Sequence, residues 1–229
     1  MKLSIIIPCY NEKTFLPKII HLVKNSPVAT KEIILVDDGS NDGTTDLIKN
    51  SIEAQVDKVI YHKTNMGKGA AINSGLSHVT GDLVIIQDAD LEYDPQEYPK
   101  LIAPIIEGKA DVVYGSRFLG GGPHRVHLFW HYAGNRLLTI LSNMVTNLNL
   151  TDMETCYKVF KTGLIKSITL EERGFGIEPE LTAKIARTKC RVYEVGISYF
   201  GRSYNEGKKI NWKDGLRAVQ CLIKYGIMK

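Results

Sequence analysis

Five short apolar, β-branched runs punctuate the first half of the chain: LSIIIP, EIILVDD, KVIYH, DLVIIQD and DVVYGSR. Each ends in polar residues or glycine. Between them lie segments with helical spacing, at about residues 12 to 26, 43 to 55, 67 to 79 and 95 to 107. Strand-like runs alternating with helical ones predict βα units and a mostly parallel sheet flanked by helices, an α/β fold. In such sheets ligands sit beyond the carboxyl ends of the strands. Here those ends read PCYNE, DDGSNDGT, QDADLE and GSRF.

After the glycine-rich LGGGPHR the pattern changes. Leu137, Leu138, Leu141, Met144, Val145 and Leu148 recur at three- and four-residue spacing, which predicts an amphipathic helix after Asn135 and Arg136. CYKVF and VYEVGISYF read as strands flanking a helix near 178 to 188. The tail INWKDGLRAVQCLIKYG carries Trp212, Leu216, Val219 and Ile223 on one face, a helical extension at the C-terminus. No internal repeat or low-complexity tract interrupts the 229 residues, so a single domain over 1–229 is expected.

Composition narrows the class. A hydrophobic fraction of 44% and a charged fraction of 24% suit a globular protein, and no run reaches the roughly 18 apolar residues of a membrane span. Cys9, Cys156, Cys190 and Cys221 are scattered without a CxxC pair, which favours a reducing, cytosolic compartment. Charge is unevenly spread: residues 1–122 carry 12 Lys and Arg against 16 Asp and Glu, residues 123–229 carry 17 against 9. An acidic first half suits a cation; a basic second half suits an anionic group or a membrane surface. Ordinary solvated surface charge explains the same totals.

The candidate chemistry lies at the strand ends. In GDLVIIQDADLEYDP, Asp88, Asp90, Glu92 and Asp94 follow an apolar run at alternating positions. Side chains at i and i+2 of an extended chain share a face, so Asp88 and Asp90 aim at one place, and oxygen ligands so spaced suit Mg²⁺ or Mn²⁺ bridging to a diphosphate. DDGSNDGT offers Asp38 at a strand end, where a carboxylate can accept a ring N–H of a nucleobase; a tight turn explains the same residues. NMGKGAAINSG puts glycines and Lys68 before a helix, an arrangement that attracts phosphate but lacks the spacing of a P-loop. His124, His127 and His131 share a helical face, which suits zinc or an interface helix.

Taken in order, IIIPCYNE, ILVDDGSNDGT, NMGKGAAINSG, QDADLEYDP and VVYGSRF resemble the family 2 glycosyltransferases of GT-A (Rossmann-like) fold. TDMETCYKVF, EPELTAK and EVGISYFGRSYNEGKKINW extend the resemblance, over nearly the whole chain, to the polyprenyl-phosphate sugar transferases of the dolichol-phosphate mannose synthase group. It implies a nucleotide-sugar-binding half at 1–122 and an acceptor-binding half at 123–229. Pro8, Tyr10 and Glu12 then match the nucleotide site, Val36 and Asp38 the base-binding strand end, and Asp88, Ala89 and Asp90 the metal and diphosphate motif. Glu92, where relatives often carry Gln or another polar residue, is a further candidate metal ligand. Arg117, Arg202 and Lys208 match cationic residues around donor and acceptor phosphates.

The implied reaction is inverting transfer of a hexose-type sugar from a nucleoside diphosphate to a polyprenyl phosphate, with Mg²⁺ or Mn²⁺, at the cytoplasmic membrane face. A peripheral protein, no nucleic-acid partner and a possible membrane-spanning protein partner complete the expectation. An acceptor phosphate is already anionic and needs little general-base help. Transfer to a sugar hydroxyl would need a base, for which Asp152 and Glu154 are the candidates, Asp152 doubling as a possible helix cap. A nucleotide-sugar-binding protein without turnover is the rival outside enzymes. A nucleotidyltransferase is disfavoured by the lack of a Gly-rich, Arg/Lys-containing N-terminal loop.

Overall fold

A computed structural model describes residues 1–120, 128–202 and 212–227. Seven strands form one sheet: β1 (Leu3–Cys9), β2 (Lys31–Asp37), β3 (Lys58–Tyr61), β4 (Leu83–Ile86), β5 (Val112–Ser116), β6 (Lys158–Lys161) and β7 (Val192–Gly196). Their order is β3-β2-β1-β4-β6-β5-β7. All pairings are parallel except those of β6, which runs antiparallel to both β4 and β5. The alternation anticipates the parallel strands; β6 enters from the second half of the chain and reverses the rule locally.

Leu83 to Ile86 and Leu3 to Ile7 are buried throughout, as expected for strands with both faces covered. The covering helices are α1 (Leu16–Lys24), α2 (Thr44–Leu47), α3 (Lys68–Leu76), α4 (Tyr98–Ile106), α5 (Phe129–Thr146), α6 (Thr162–Lys166), α7 (Ile177–Arg187) and α8 (Trp212–Cys221). α2 continues into a wider turn over Ile48–Ile52 and a tighter one over Glu53–Gln55, and α8 into a last wide turn over Leu222–Ile227. α3 lies close on β1 because Gly75 leaves room for it: a Cβ there would stand 2.6 Å from Ile6 Cγ2.

The chain winds outward from β1 to β2 and β3, then returns to place β4 on the other side of β1. That reversal opens a crevice at the carboxyl ends of β1 and β4. Register makes the placement firm: Ile6 pairs with Ile86, and Gln87 N donates to Ile6 O. Pro8 to Tyr10 and Asp88 to Asp90 therefore emerge side by side.

α5 starts at Phe129, earlier than the leucine spacing indicates, and its stripe divides. Leu138, Leu141 and Leu148 pack on the core, while Leu137 and Met144 face solvent, Met144 at 76% exposure. The terminal helix divides likewise. Ala218, Cys221, Leu222 and Tyr225 point inward, whereas Leu216 and Ile223 of the predicted stripe are exposed and Val219 is half-buried; the Trp212 side chain lies outside the described residues. Among the described residues no helix is long and apolar enough to cross a membrane.

Candidate active site

A cavity of about 900 Å³ occupies the crevice. Pro8, Tyr10 and Glu12 from the end of β1 line it, with Asp38 after β2 and Lys68 at the start of α3. Asp88, Ala89, Asp90 and Glu92 form its middle, and Arg117 and Arg202 reach in from the second half. Val36 does not join them: it is fully buried within β2, because alternation along the strand turns it into the core. Lys208, His124 and His127 lie outside the described residues, whereas His131 lines the cavity.

The acidic loop is set from behind. Tyr98 and Tyr157 hydroxyls donate to Gln87 Oε1 at 2.6 and 2.7 Å, and Gln87 Nε2 donates to Asp88 O at 3.1 Å. Asp88 Oδ1 meets Lys68 Nζ at 2.7 Å. Burial alone would raise the Asp88 pKa, but Lys68, helped by Cys156 and Arg202, more than reverses it and holds the carboxylate below its usual range. Asp90 behaves oppositely. Burial, with the charges of Asp88 and Glu92, pushes it up to about 7 against the pull of Arg202, whose Nη2 stands 2.5 Å from Asp90 Oδ2. The local field is short of positive charge even with Arg202 in place.

Glu92, also in the cavity lining, is engaged by protein donors. Its Oε1 accepts from Arg202 N and Nε at 2.9 and 3.1 Å, and its Oε2 accepts from Tyr199 Oη at 2.6 Å. Among the described residues no three His, Cys, Asp or Glu side chains converge to hold a metal by themselves. Two carboxylates on one wall with an excess of negative potential still fit a hard divalent cation that takes its remaining oxygens from phosphate and water. Asp88 and Asp90 are the residues that would hold it.

Several expectations are revised by tertiary partners. Asp38, which lines the cavity, is also engaged by the protein: its oxygens take Met66 N at 2.9 Å, Gly67 N at 2.7 Å and His62 Nδ1 at 2.7 Å. Its carboxylate shapes the loop before α3. The glycines of that loop allow a close backbone contact, since Cβ atoms at Gly67 and Gly69 would lie 2.4 and 2.1 Å from the carbonyl oxygens of Arg173 and Glu172. Gly67 has φ +98°, a conformation that glycine adopts freely. Ala70 N in the first turn of α3 donates to Arg173 O at 3.1 Å. Glu180 holds the facing segment by accepting from Glu171 N and Glu172 N at 2.7 and 2.8 Å.

Arg117 and Asp152 form a buried bidentate pair. Nε and Nη2 donate to the two carboxylate oxygens at 2.7 Å each, Arg117 N adds a third bond at 3.0 Å, and Nη2 reaches Asn135 Oδ1 at 3.3 Å. Asp152 is thus the anchor of Arg117 and unsuited to act as a base. Glu154 contrasts with it: it lines the cavity, its Oε1 is buried without a hydrogen-bond partner, and burial with the charge of Glu178 pushes it up to about 7.

Sequence reasoning assigned no role to Glu178 and Lys158. Lys158 Nζ, fully buried, pairs with Glu178 Oε2 and donates to Thr155 O, while Glu178 Oε1 stands 3.7 Å from Lys68 Nζ. A lysine inside the strand CYKVF followed twenty residues later by a glutamate opening a helix was the available signal. Only packing shows that they meet.

Known proteins resemble this chain in sequence and in fold. The glycosyl transferase family 2 model matches residues 4–169. An undecaprenyl-phosphate 4-deoxy-4-formamido-L-arabinose transferase of Salmonella choleraesuis is 32% identical over 213 residues, covering 90% of this chain and 62% of the relative. Its counterpart in Salmonella paratyphi B is also 32% identical, with the same coverage. The chain therefore spans 62% of the length of these curated relatives. Among solved structures, glucosyl-3-phosphoglycerate synthase of Mycobacterium tuberculosis with Mn²⁺ and UDP-glucose superposes with a TM-score of 0.77 at 17% identity, covering 98% of this chain and 79% of that one. The same enzyme with Mg²⁺ and UDP gives 0.71 at 18%, again covering 98% and 79%.

Proposed function

We propose, for a chain that belongs to glycosyl transferase family 2 and has the GT-A fold, the transfer of a sugar from a nucleoside diphosphate to a polyprenyl phosphate. The observation that carries this reading is the pair Asp88 and Asp90 at the carboxyl end of β4, facing a crevice whose cations are Lys68, Arg117 and Arg202. The undecaprenyl-phosphate acceptor in the names of the relatives supports the acceptor class, and the UDP, Mn²⁺ and Mg²⁺ of the structural neighbours support the donor class and the metal.

In this reading Pro8, Tyr10 and Glu12 border the nucleotide end. Asp88 and Asp90 would hold a divalent cation, Mg²⁺ or Mn²⁺, which would supply neutralisation of the charge that develops on the leaving diphosphate. Lys68 keeps Asp88 ionised and oriented, and Arg202 is the protein cation nearest Asp90. Arg117, tied to Asp152, is a positioning residue rather than a free phosphate clamp. The acceptor phosphate attacks as an anion, so one in-line displacement inverts the anomeric centre without a general base.

The acceptor in this reading is a lipid met at the cytoplasmic membrane face, and the exposed apolar residues of α5 support docking at a membrane surface. Trp130 is 81% exposed, and Leu137, Ile140 and Met144 follow it along the helix, with Leu216 and Ile223 exposed on the terminal helix. Such a face gives reversible interfacial binding. The deciding experiment is incubation with UDP- and GDP-sugars, Mg²⁺ or Mn²⁺ and a short polyprenyl phosphate. A product whose mass equals sugar plus polyprenyl phosphate is expected. No lipid-linked product with any donor refutes the reading.

A further inference from the structure

The segment after α5 is pinned at almost every residue. Thr151 N and Asp152 N donate to the Glu194 carboxylate at 2.9 and 3.2 Å, Met153 N to Thr139 Oγ1 at 3.2 Å, and Cys156 N to Tyr93 Oη at 3.1 Å. The Asp152 side chain is locked on Arg117. Glu154 sits in the middle of this braced stretch and lines the cavity, yet its Oε1 is buried and accepts no hydrogen bond. A buried carboxyl oxygen left this way is costly until something donates to it. In the same cavity wall Glu178 Oε1 is likewise without a hydrogen-bond partner, and Glu178 is one of the charges that face Glu154.

Two carboxyl oxygens without hydrogen-bond partners on one cavity wall, one belonging to an acid already ion-paired with Lys158 and the other to an acid raised to about 7, suit a neutral, hydroxyl-rich group. We infer that Glu154 reads the sugar being transferred, hydrogen-bonding a hydroxyl or amino group of the donor's ring, and that it determines which sugar the enzyme accepts. This rests on the transferase reading above. The diphosphate belongs at Asp88 and Asp90, and the braced backbone holds Glu154 still without occupying its carboxyl. That is the condition for a residue that discriminates: a buried polar group made for one hydroxyl rejects the analogue lacking it far more strongly than an apolar pocket rejects a missing methylene. Burial first, then the charges of Glu178 at the start of α7 and of Asp152, push its carboxyl up to about 7 against the pull of Lys158 of β6 and Arg117 after β5, so both protonation states are within reach near neutral pH. It therefore accepts or donates according to the group presented.

The test is titration calorimetry with Mn²⁺ on the wild type, Glu154→Gln and Glu154→Ala. Probes are UDP, GDP, UDP-glucose, UDP-galactose, UDP-N-acetylglucosamine, UDP-xylose and GDP-mannose. The wild type is expected to bind one nucleotide sugar more tightly than its parent nucleoside diphosphate. Glu154→Ala should lose that preference by tenfold or more while holding the parent within twofold. Glu154→Gln, close in size and still a hydrogen-bonding group, should fold as the wild type and change the ranking between sugars that differ at one hydroxyl.

Unchanged sugar preference in both variants overturns the inference. So does equal weakening of nucleoside diphosphate and nucleotide sugar, which marks a structural role. A loss of kcat with unchanged donor affinity overturns it too, making Glu154 a base for a hydroxyl acceptor. Wild type that binds none of the seven probes refutes the transferase reading itself, and this inference with it.

Discussion

Asp152→Asn separates the structural acid of the TDMET segment from the one that faces substrate. Asp152 is completely buried and accepts three hydrogen bonds from Arg117, whose side chain is only 10% exposed. Asparagine keeps the shape but cancels the charge and turns an N–H₂ toward the guanidinium. Arg117 is then left charged without a counter-ion inside the protein. Removing one partner of a buried pair costs about 3–5 kcal/mol, because the survivor remains desolvated. For a chain of this length each kcal/mol lowers Tm by about 2–4 °C, so a fall of roughly 6–20 °C is expected. Urea unfolding at pH 7.5 supplies the free energy, with m checked for constancy. Arg117→Met combined with Asp152→Leu removes both charges and should cost less than the single Asp152→Asn change. Stability of Asp152→Asn within about 1 kcal/mol of wild type refutes the argument from burial. Full stability with abolished turnover assigns Asp152 to the chemistry instead.

Asp90→Asn should abolish divalent-dependent transfer while the circular dichroism and Tm stay near wild type; undiminished wild-type turnover in excess chelator removes the metal from the mechanism. The folded-state pKa of Glu32 is drawn down to about 2, against the effect of burial, by bonds from Lys2, Ser4 and Thr80. A depressed carboxyl stabilises above its unfolded pKa, so this contribution is complete above about pH 4.5 and lost as pH falls toward 2. Glu32→Gln should therefore flatten the urea midpoint between pH 5 and 3, and an unaltered acid slope would contradict the assignment. Leu137→Glu with Met144→Glu should reduce flotation with anionic vesicles at low salt without altering Tm, since both side chains are exposed; equal flotation moves the membrane contact elsewhere.

The order of strands along the chain, their burial and the polar residues at their carboxyl ends were legible in the sequence. Those properties follow from local alternation and from turn chemistry, which each residue expresses with its near neighbours. Asp88 and Asp90 were legible for the same reason: a spacing of two along an extended end puts both on one wall of the crevice.

Which groups those acids and bases would meet was a different matter. Lys68 with Asp88, Arg117 with Asp152 and Lys158 with Glu178 join residues twenty or more positions apart, and the energy of a buried pair depends on distance and desolvation that only packing supplies. The antiparallel entry of β6 is equally nonlocal, because a strand's direction is set by the route of the chain that brings it in. Gly67 and Gly69 could be recognised as turn formers from the sequence, but the reason no side chain fits there is the backbone of residues 172 and 173, a hundred positions away. Hydrophobic spacing likewise identified α5 and the terminal helix without telling the inner face from the outer. Residues at Leu137 and Leu138 are equally apolar, and only the third dimension turns one to the core and the other to solvent.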